Sequence, residues 1–248
     1  MSVGPLILSS CGSGSGEPGL GMWRDGGTSM IRLIFRTLPL SVNQKKYLKY
    51  FYFKSAALLG IVQRPALNGL DSKLEKYMPY KNGVFIEAGA NDGVTQSNTW
   101  YFENYLEWSG LLVEPLPRLA KLAAKFRRTP VANVALGRPE DDGATIHLRD
   151  DDLMSRVTQS MSEASVAVTA RSLSALLDEH GLKHIDLLSL DVEGFELSVL
   201  AGLDIDRHAP KFILVETAQP EAVQSQLGER YELRDKLSFH DYLFALRV

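Results

Sequence analysis

Four acids stand at the ends of apolar runs. Glu87 follows Val84-Phe85-Ile86, Glu114 follows Leu111-Leu112-Val113, Asp191 follows Leu187-Leu188-Ser189-Leu190, and Glu216 follows Ile213-Leu214-Val215. The first acid opens a glycine-bearing turn, Glu87-Ala88-Gly89-Ala90-Asn91-Asp92-Gly93. Glycine lets the backbone bend sharply and approach a bound molecule closely. Carboxylates at such a bend select a ligand with positive charge or sugar hydroxyls over a bare pyrophosphate. A single strand-end acid serves equally well as a cap for the next helix. Four of them, with the glycine turn at the first, favour a ligand site along the carboxyl edge of a parallel sheet.

The second acid narrows the ligand. An acid ending the second strand of a nucleotide-binding sheet accepts hydrogen bonds from ribose hydroxyls, which is the task expected of Glu114. The turn does not read G-x-G-x-x-G, so a nicotinamide-dependent oxidoreductase fits less well. A nucleoside with a cationic tail fits better, and S-adenosylmethionine carries ribose, adenine and a positive sulfonium.

The elements that must position these residues follow from pattern. From Gly83 onward apolar runs alternate with helical spacing, the signature of βαβ units in an α/β protein with a mostly parallel sheet. Strands are expected at 84–87, 110–114, 131–136, 185–190 and 211–216, with an extra strand at 144–148. Helices are expected at 98–108, 116–126, 173–180, 195–201 and 221–227, two of them ending at Gly181 and Gly202. Residues 231–234 and 242–248 fit a closing antiparallel pair. The polar stretch 150–164 reads as a mobile loop.

The chain has 248 residues, 45% of them hydrophobic, enough for one large α/β domain with an extension. Its net charge of −3 argues against a nucleic-acid partner. The lone cysteine, Cys11, rules out an internal disulfide and suits a cytoplasmic location. Residues 1–29 are rich in Gly and Ser and are expected to be a disordered leader, with Met22 and Met30 as further candidate starts. Residues 30–80 are expected to form a helical extension in which Lys45, Lys46, Lys49 and Lys54 alternate with Tyr47, Tyr50, Phe51 and Tyr52. Packing on the sheet domain with a solvated charged face is preferred over peripheral membrane contact through residues 30–60.

Three ordered motifs carry a resemblance. Glu87 to Gly93, then Val113-Glu114-Pro115, then Asp186-Leu187-Leu188-Ser189-Leu190-Asp191-Val192-Glu193-Gly194-Phe195-Glu196 are similar to those of the FkbM-type methyltransferases, over residues 83–248. The resemblance implies a class I, Rossmann-like fold that uses S-adenosylmethionine. Its members typically methylate hydroxyl oxygens of sugars, polyketides and other natural products, so a small-molecule or glycan acceptor is expected. By motif match, cofactor contacts fall to Glu87, Gly89, Ala90, Asn91, Asp92, Gly93, Glu114 and Pro115. Asp92 either meets the amino group of the cofactor or holds the loop. Asn133 either reads the adenine edge or serves a turn. Many members carry a lysine two residues before the aspartate matching Asp191, where this chain has Ser189.

Methyl transfer needs a positioned acceptor and a base for its proton. Asp191 and Glu193 are the carboxylate candidates, and His240 is the third, since its intrinsic pKa suits proton transfer near neutrality. A divalent metal held by acids such as Asp191 and Glu216 would instead lower the acceptor's pKa. The competing reading is a non-catalytic binding or scaffold module that keeps the fold, since fold alone does not imply activity.

Overall fold

A computed structural model describes residues 39–149 and 165–247. Expectations for residues 1–29 and for the loop at 150–164 therefore fall outside the described residues. In chain order the helices are α1 (Val42–Leu58), α2 (Leu70–Glu75), α3 (Trp100–Tyr105), α4 (Pro117–Phe126), α5 (Leu173–Glu179), α6 (Glu196–Ala201) and α7 (Pro220–Leu227). The strands are β1 (Val84–Ala88), β2 (Ser109–Val113), β3 (Val131–Ala132), β4 (Ala135–Gly137), β5 (Thr145–Arg149), β6 (Ser165–Ser172), β7 (Leu187–Leu190), β8 (Phe212–Glu216), β9 (Tyr231–Lys236) and β10 (Asp241–Leu246).

Seven strands form one sheet in the order β3-β2-β1-β7-β8-β10-β9. The first five pair in parallel, and β10 runs antiparallel to both β8 and β9. This is the mostly parallel sheet with a closing antiparallel pair that the pattern predicts. Its parallel strands read as continuous apolar runs because both faces are covered. Phe85, Leu112, Leu187, Leu214 and Leu243 point to one face, where they meet Leu70 and Leu74 of α2, Phe102 of α3 and Ala123 of α4. Ile86, Leu111, Leu188, Ile213 and Phe244 point to the other, against Leu173 and Leu177 of α5, Val199 of α6 and Val223 of α7.

The strand expected at 131–136 is two strands. β3 ends at Ala132 beside β2, and the chain then leaves the main sheet. β4 pairs with β6 instead, and β6 pairs with β5, giving a separate three-stranded sheet β4-β6-β5. The side-chain amide of Asn133 holds the break by donating to the carbonyls of Glu114 (2.9 Å) and Pro115 (2.8 Å). The strand expected at 144–148 is β5, and its partner β6 was not foreseen.

Ser41 starts α1 with a reciprocal cap. Its hydroxyl accepts from Gln44 N, and its own N–H donates to Gln44 Oε1 at 2.9 Å. The inward side of α1 lies on the domain: Tyr50 stacks on Phe126 at 4.2 Å and Phe53 meets Trp100 edge-on at 5.3 Å.

Candidate functional site

The chain leaves β1 towards β2 on one side, while β7, its neighbour on the other side, arrives from the opposite direction of the strand order. Ligands of open α/β sheets bind in the crevice at such a reversal. The turn after β1 is tightly fitted there. Gly89 N donates to Val113 O at 3.0 Å, and Asp191 N donates to Ala88 O at 3.1 Å. Gly89 has φ +84°, and a Cβ placed on it would lie 1.8 Å from the carbonyl oxygen of Asp191. Only glycine fits that position.

A cavity of about 350 Å³ opens at this point. Its floor is Gly89, Ala90 and Asn91 after β1, Glu114 and Pro115 after β2, and Asp191 and Glu193 after β7. Val134, Leu136, Ile146, Leu148 and Ala170 add an apolar wall drawn largely from the small sheet. Thr95, Ser97, Asn98 and Ser189 supply the polar side.

Glu114 is buried, and each of its carboxylate oxygens accepts one backbone N–H: Asn91 at 2.8 Å and Leu116 at 2.9 Å. Burial pushes its pKa up to about 7, even though those two hydrogen bonds pull the other way. Four lone-pair sites on the carboxylate minus two backbone donors leave room for further donors.

Asp191 is held well above the ordinary carboxylate range. Burial is the main cause, and the neighbouring carboxylates Glu216, Glu193, Asp241 and Glu196 add to it. Glu216 is also raised, chiefly by burial, and it hydrogen-bonds to Asp191. Like charges so close cannot both ionise freely, so the pair favours a shared proton. His240 Nε2 stands 3.3 Å from Glu216 Oε1. His240 is not among the residues that line the cavity, and its ring meets Glu216, the neighbour of Asp191. Among the described residues no group of three or more His, Cys, Asp or Glu side chains is arranged to hold a metal ion. For the alternative of a divalent metal at Asp191 and Glu216 no such group is found, and the two carboxylates hydrogen-bond to each other.

Glu87 contributes to the cavity, but its carboxylate is already taken. It accepts from Ser97 Oγ (2.9 Å), Asn98 N (2.7 Å) and Thr99 Oγ1, with Arg127 Nη1 at 3.5 Å. Its position ties the segment after the glycine turn to β1. Asp92 faces away from the cavity and is loop-holding: it accepts from Val94 N (3.0 Å), Thr95 N (2.7 Å) and Thr95 Oγ1 (2.9 Å). Gly93 is packed against α4, where an added Cβ would sit 2.8 Å from Arg127 Cγ. Asn133 is exposed, is not part of the lining, and serves the turn after β2.

Several contributors have no counterpart in the sequence reading. Arg127 is fully enclosed and donates to Glu103 Oε2 (2.7 Å), Gly93 O (2.9 Å), Ser97 Oγ (3.0 Å) and Thr99 Oγ1 (2.9 Å). It neutralises Glu87 and Glu103 beneath the site. Asn98 donates through Nδ2 to Ser189 Oγ at 3.1 Å, while its Oδ1 is buried with no protein partner. An orphaned acceptor in a cavity wall is a place for a ligand donor. Its sequence signal was the Ser97-Asn98-Thr99 run ahead of α3, which resembles an ordinary helix start.

Among the described residues no helix is long and apolar enough to cross a membrane. The synthetase AmbE of Pseudomonas aeruginosa, described as an AMB antimetabolite synthetase, is 25% identical over 184 residues, covering 74% of this chain. The chain spans 8% of that relative's length. Solved structures with a similar arrangement include a methyltransferase from Geobacter sulfurreducens (12% identity, 90% of this chain and 99% of that chain, TM-score 0.44). A precorrin-6y C5,15-methyltransferase from Geobacter metallireducens is similar at 13% identity, over 73% of this chain and 88% of that one, with TM-score 0.41. A third is the 1,6-didemethyltoxoflavin-N1-methyltransferase of Burkholderia thailandensis, solved with bound 1,6-didemethyltoxoflavin and S-adenosylhomocysteine (14% identity, 84% of this chain and 90% of that chain, TM-score 0.35). Likeness of this degree carries no weight on chemistry. The profile of the methyltransferase FkbM domain matches residues 87–244, from the acid of β1 into β10, and the chain belongs to that methyltransferase family.

Proposed function

We propose that this protein methylates a hydroxyl oxygen on a sugar, glycolipid or natural-product acceptor, using S-adenosylmethionine bound at the β1–β7 reversal. The observation that carries the reading is the cavity floor itself. It joins a glycine turn pressed onto the Asp191 backbone, a half-satisfied buried carboxylate at Glu114 and an unpartnered amide oxygen at Asn98. The volume of about 350 Å³ lies in the range of small-molecule sites.

These residues fit the cofactor. Glu114 has lone pairs left for ribose hydroxyls. Asn98 Oδ1 offers an acceptor to an ammonium or hydroxyl donor, and Gly89, Ala90 and Asn91 give close backbone approach. Val134 and Leu136 present apolar surface to a flat ring. When bound, the cofactor supplies an electrophilic methyl group on a sulfonium.

The chain's own contribution is to place the acceptor and accept its proton. Asp191 is the group for that proton. Its raised pKa makes its ionised form a stronger base than an exposed carboxylate, and Glu216 backed by His240 provides a route by which the proton leaves. Glu193 lines the cavity on an exposed turn, and we assign it to meeting the acceptor rather than to taking the proton. The test is a methyl-transfer screen against glycan and glycolipid acceptors, comparing wild type with Asp191→Asn. Loss of a positioned base costs on the order of 10²–10⁴ in rate, with cofactor affinity retained. Undiminished turnover in Asp191→Asn would remove Asp191 from this role.

A further inference from the structure

Helix α1 is apolar on two opposite sides. Tyr50, Phe53 and Ala56 are buried against the domain. The opposite side carries Leu48, Phe51, Leu58 and Leu59, and the chain continues past the helix through Ile61 and Val62. These residues are exposed: Phe51 by 59%, Leu58 by 81%, Leu59 by 75% and Ile61 and Val62 by 53% each. Eight large hydrophobic residues are exposed among the described residues, and six of them lie between Leu48 and Val62. Scattered exposed leucines need no explanation, but a contiguous patch marks an interaction site.

Along the stretch of sequence that carries the patch the charge has one sign. From Gly26 to Leu70 the sequence holds seven Lys or Arg and no Asp or Glu, in a chain whose net charge is −3. Lys45 precedes Leu48 by one helical turn, and Lys54 lies between Phe51 and Leu58 along the same edge. Apolar side chains flanked by lysines, with no acid among them, are the composition of a segment that lies in a lipid headgroup layer. A convex helix edge matches a continuous surface.

We propose that the outer edge of α1 and the turn after it dock on an anionic lipid surface. The same helix braces the cavity loop on its other side. Lys46 Nζ lies 3.7 Å from Asp92 Oδ2, and Lys49 Nζ donates to Thr95 Oγ1 at 3.2 Å. Docking would thus set the glycine turn and its cavity beside the lipid. Docking itself requires neither bound cofactor nor turnover.

The full chain is sedimented with vesicles of phosphatidylcholine alone and of phosphatidylcholine mixed with phosphatidylglycerol. Wild type is expected to pellet with the anionic vesicles and stay in solution with the neutral ones. Each lysine brought to an anionic surface is worth roughly fivefold in partition, so Lys45→Gln with Lys54→Gln is expected to weaken binding roughly 25-fold. Phe51→Asp with Leu58→Asp is expected to abolish it. Both pairs lie on the surface, so their melting temperatures should match wild type. Leu233→Asp with Phe239→Asp, the exposed apolar residues elsewhere, should bind as wild type does. Equal binding to both vesicle types, no binding to either, or binding unchanged in Phe51→Asp/Leu58→Asp would overturn the proposal. So would a wild-type dimer that this variant converts to a monomer, because a second copy would then be the occupant.

Discussion

Replacing Arg127 with methionine removes the cation that lies beneath the candidate site. The Arg127 side chain is fully enclosed, and it donates to the buried Glu103 carboxylate at 2.7 Å and stands 3.5 Å from that of Glu87. Methionine keeps most of the volume but leaves Glu103 with only the exposed Arg128, 3.7 Å away, and takes from Glu87 the guanidinium beside it. Breaking a buried pair in this way costs about 3–5 kcal/mol, a large share of the roughly 5–15 kcal/mol that holds a domain together. Urea unfolding followed by the fluorescence of buried Trp100 and Trp108 measures the loss. The pH dependence is the sharper check. In wild type, burial pushes the Glu103 carboxyl up, but Arg127, Thr129 and the Arg128 N–H together hold it below its ordinary value. A depressed folded pKa contributes stability above the unfolded value and loses it as pH falls through the folded one. In Arg127→Met the largest lowering cause is gone and only Thr129 and the Arg128 N–H oppose burial, so the carboxyl is expected to rise and the variant to regain stability as it takes up protons. The difference between wild type and variant is therefore expected to shrink from pH 7 towards pH 4.5. Glu103→Gln added to Arg127→Met is expected to recover part of the loss. A loss under about 1 kcal/mol, a difference that grows on acidification, or a double variant weaker than the single one would refute the reasoning.

Two further outcomes follow from the site. Gly89→Ala places a methyl group 1.8 Å from the Asp191 carbonyl at φ +84°, so the β1 and β7 turns must part. A positive φ alone costs about 1–3 kcal/mol in a non-glycine residue; a lowered melting temperature with loss of cofactor binding is expected, and wild-type binding would contradict the close fit. Glu114, raised to about 7, must be ionised to accept ribose hydroxyls, so its preferred ligand state is lost as pH falls below 7. The dissociation constant for S-adenosylmethionine is expected to rise about tenfold per pH unit below that point, measured by calorimetry, and Glu114→Gln should flatten the slope. A flat wild-type profile would detach Glu114 from the ligand.

The legible part of the fold was the part whose burial is uniform. β1, β2, β7 and β8 are covered on both faces, so each reads as an apolar run, interrupted only by Ser189 in β7, that leads to an acid. The glycine turn was legible because Gly89 meets a backbone conformation that few other residues adopt. β6 was missed because Ser165–Ser172 mixes polar with small apolar residues and adjoins the polar stretch that separates it from β5. The split of the third strand depends on the Asn133 amide finding carbonyls 18 and 19 residues back, a contact no local pattern reveals. Arg127 was invisible for a related reason. Beside Arg128, at the end of a helix, it reads as surface charge, and only the return of Glu87 and Glu103 to the same point buries it. For Asp92 and Asn133 the sequence leaves a cofactor contact and a loop role open, and in the structure their side chains bond to the loop backbone. Short polar residues at tight turns look alike whether they bind a ligand or the backbone.

The account turns on where the cofactor binds, and a crystal structure of the protein grown with S-adenosylhomocysteine tests that most directly. The ribose is expected within hydrogen-bond distance of Glu114, the amino-acid tail over Gly89 to Asn91, and the Asn98 amide oxygen newly partnered. The nucleoside found away from the β1–β7 reversal, or no nucleoside bound at saturating concentration, would contradict it.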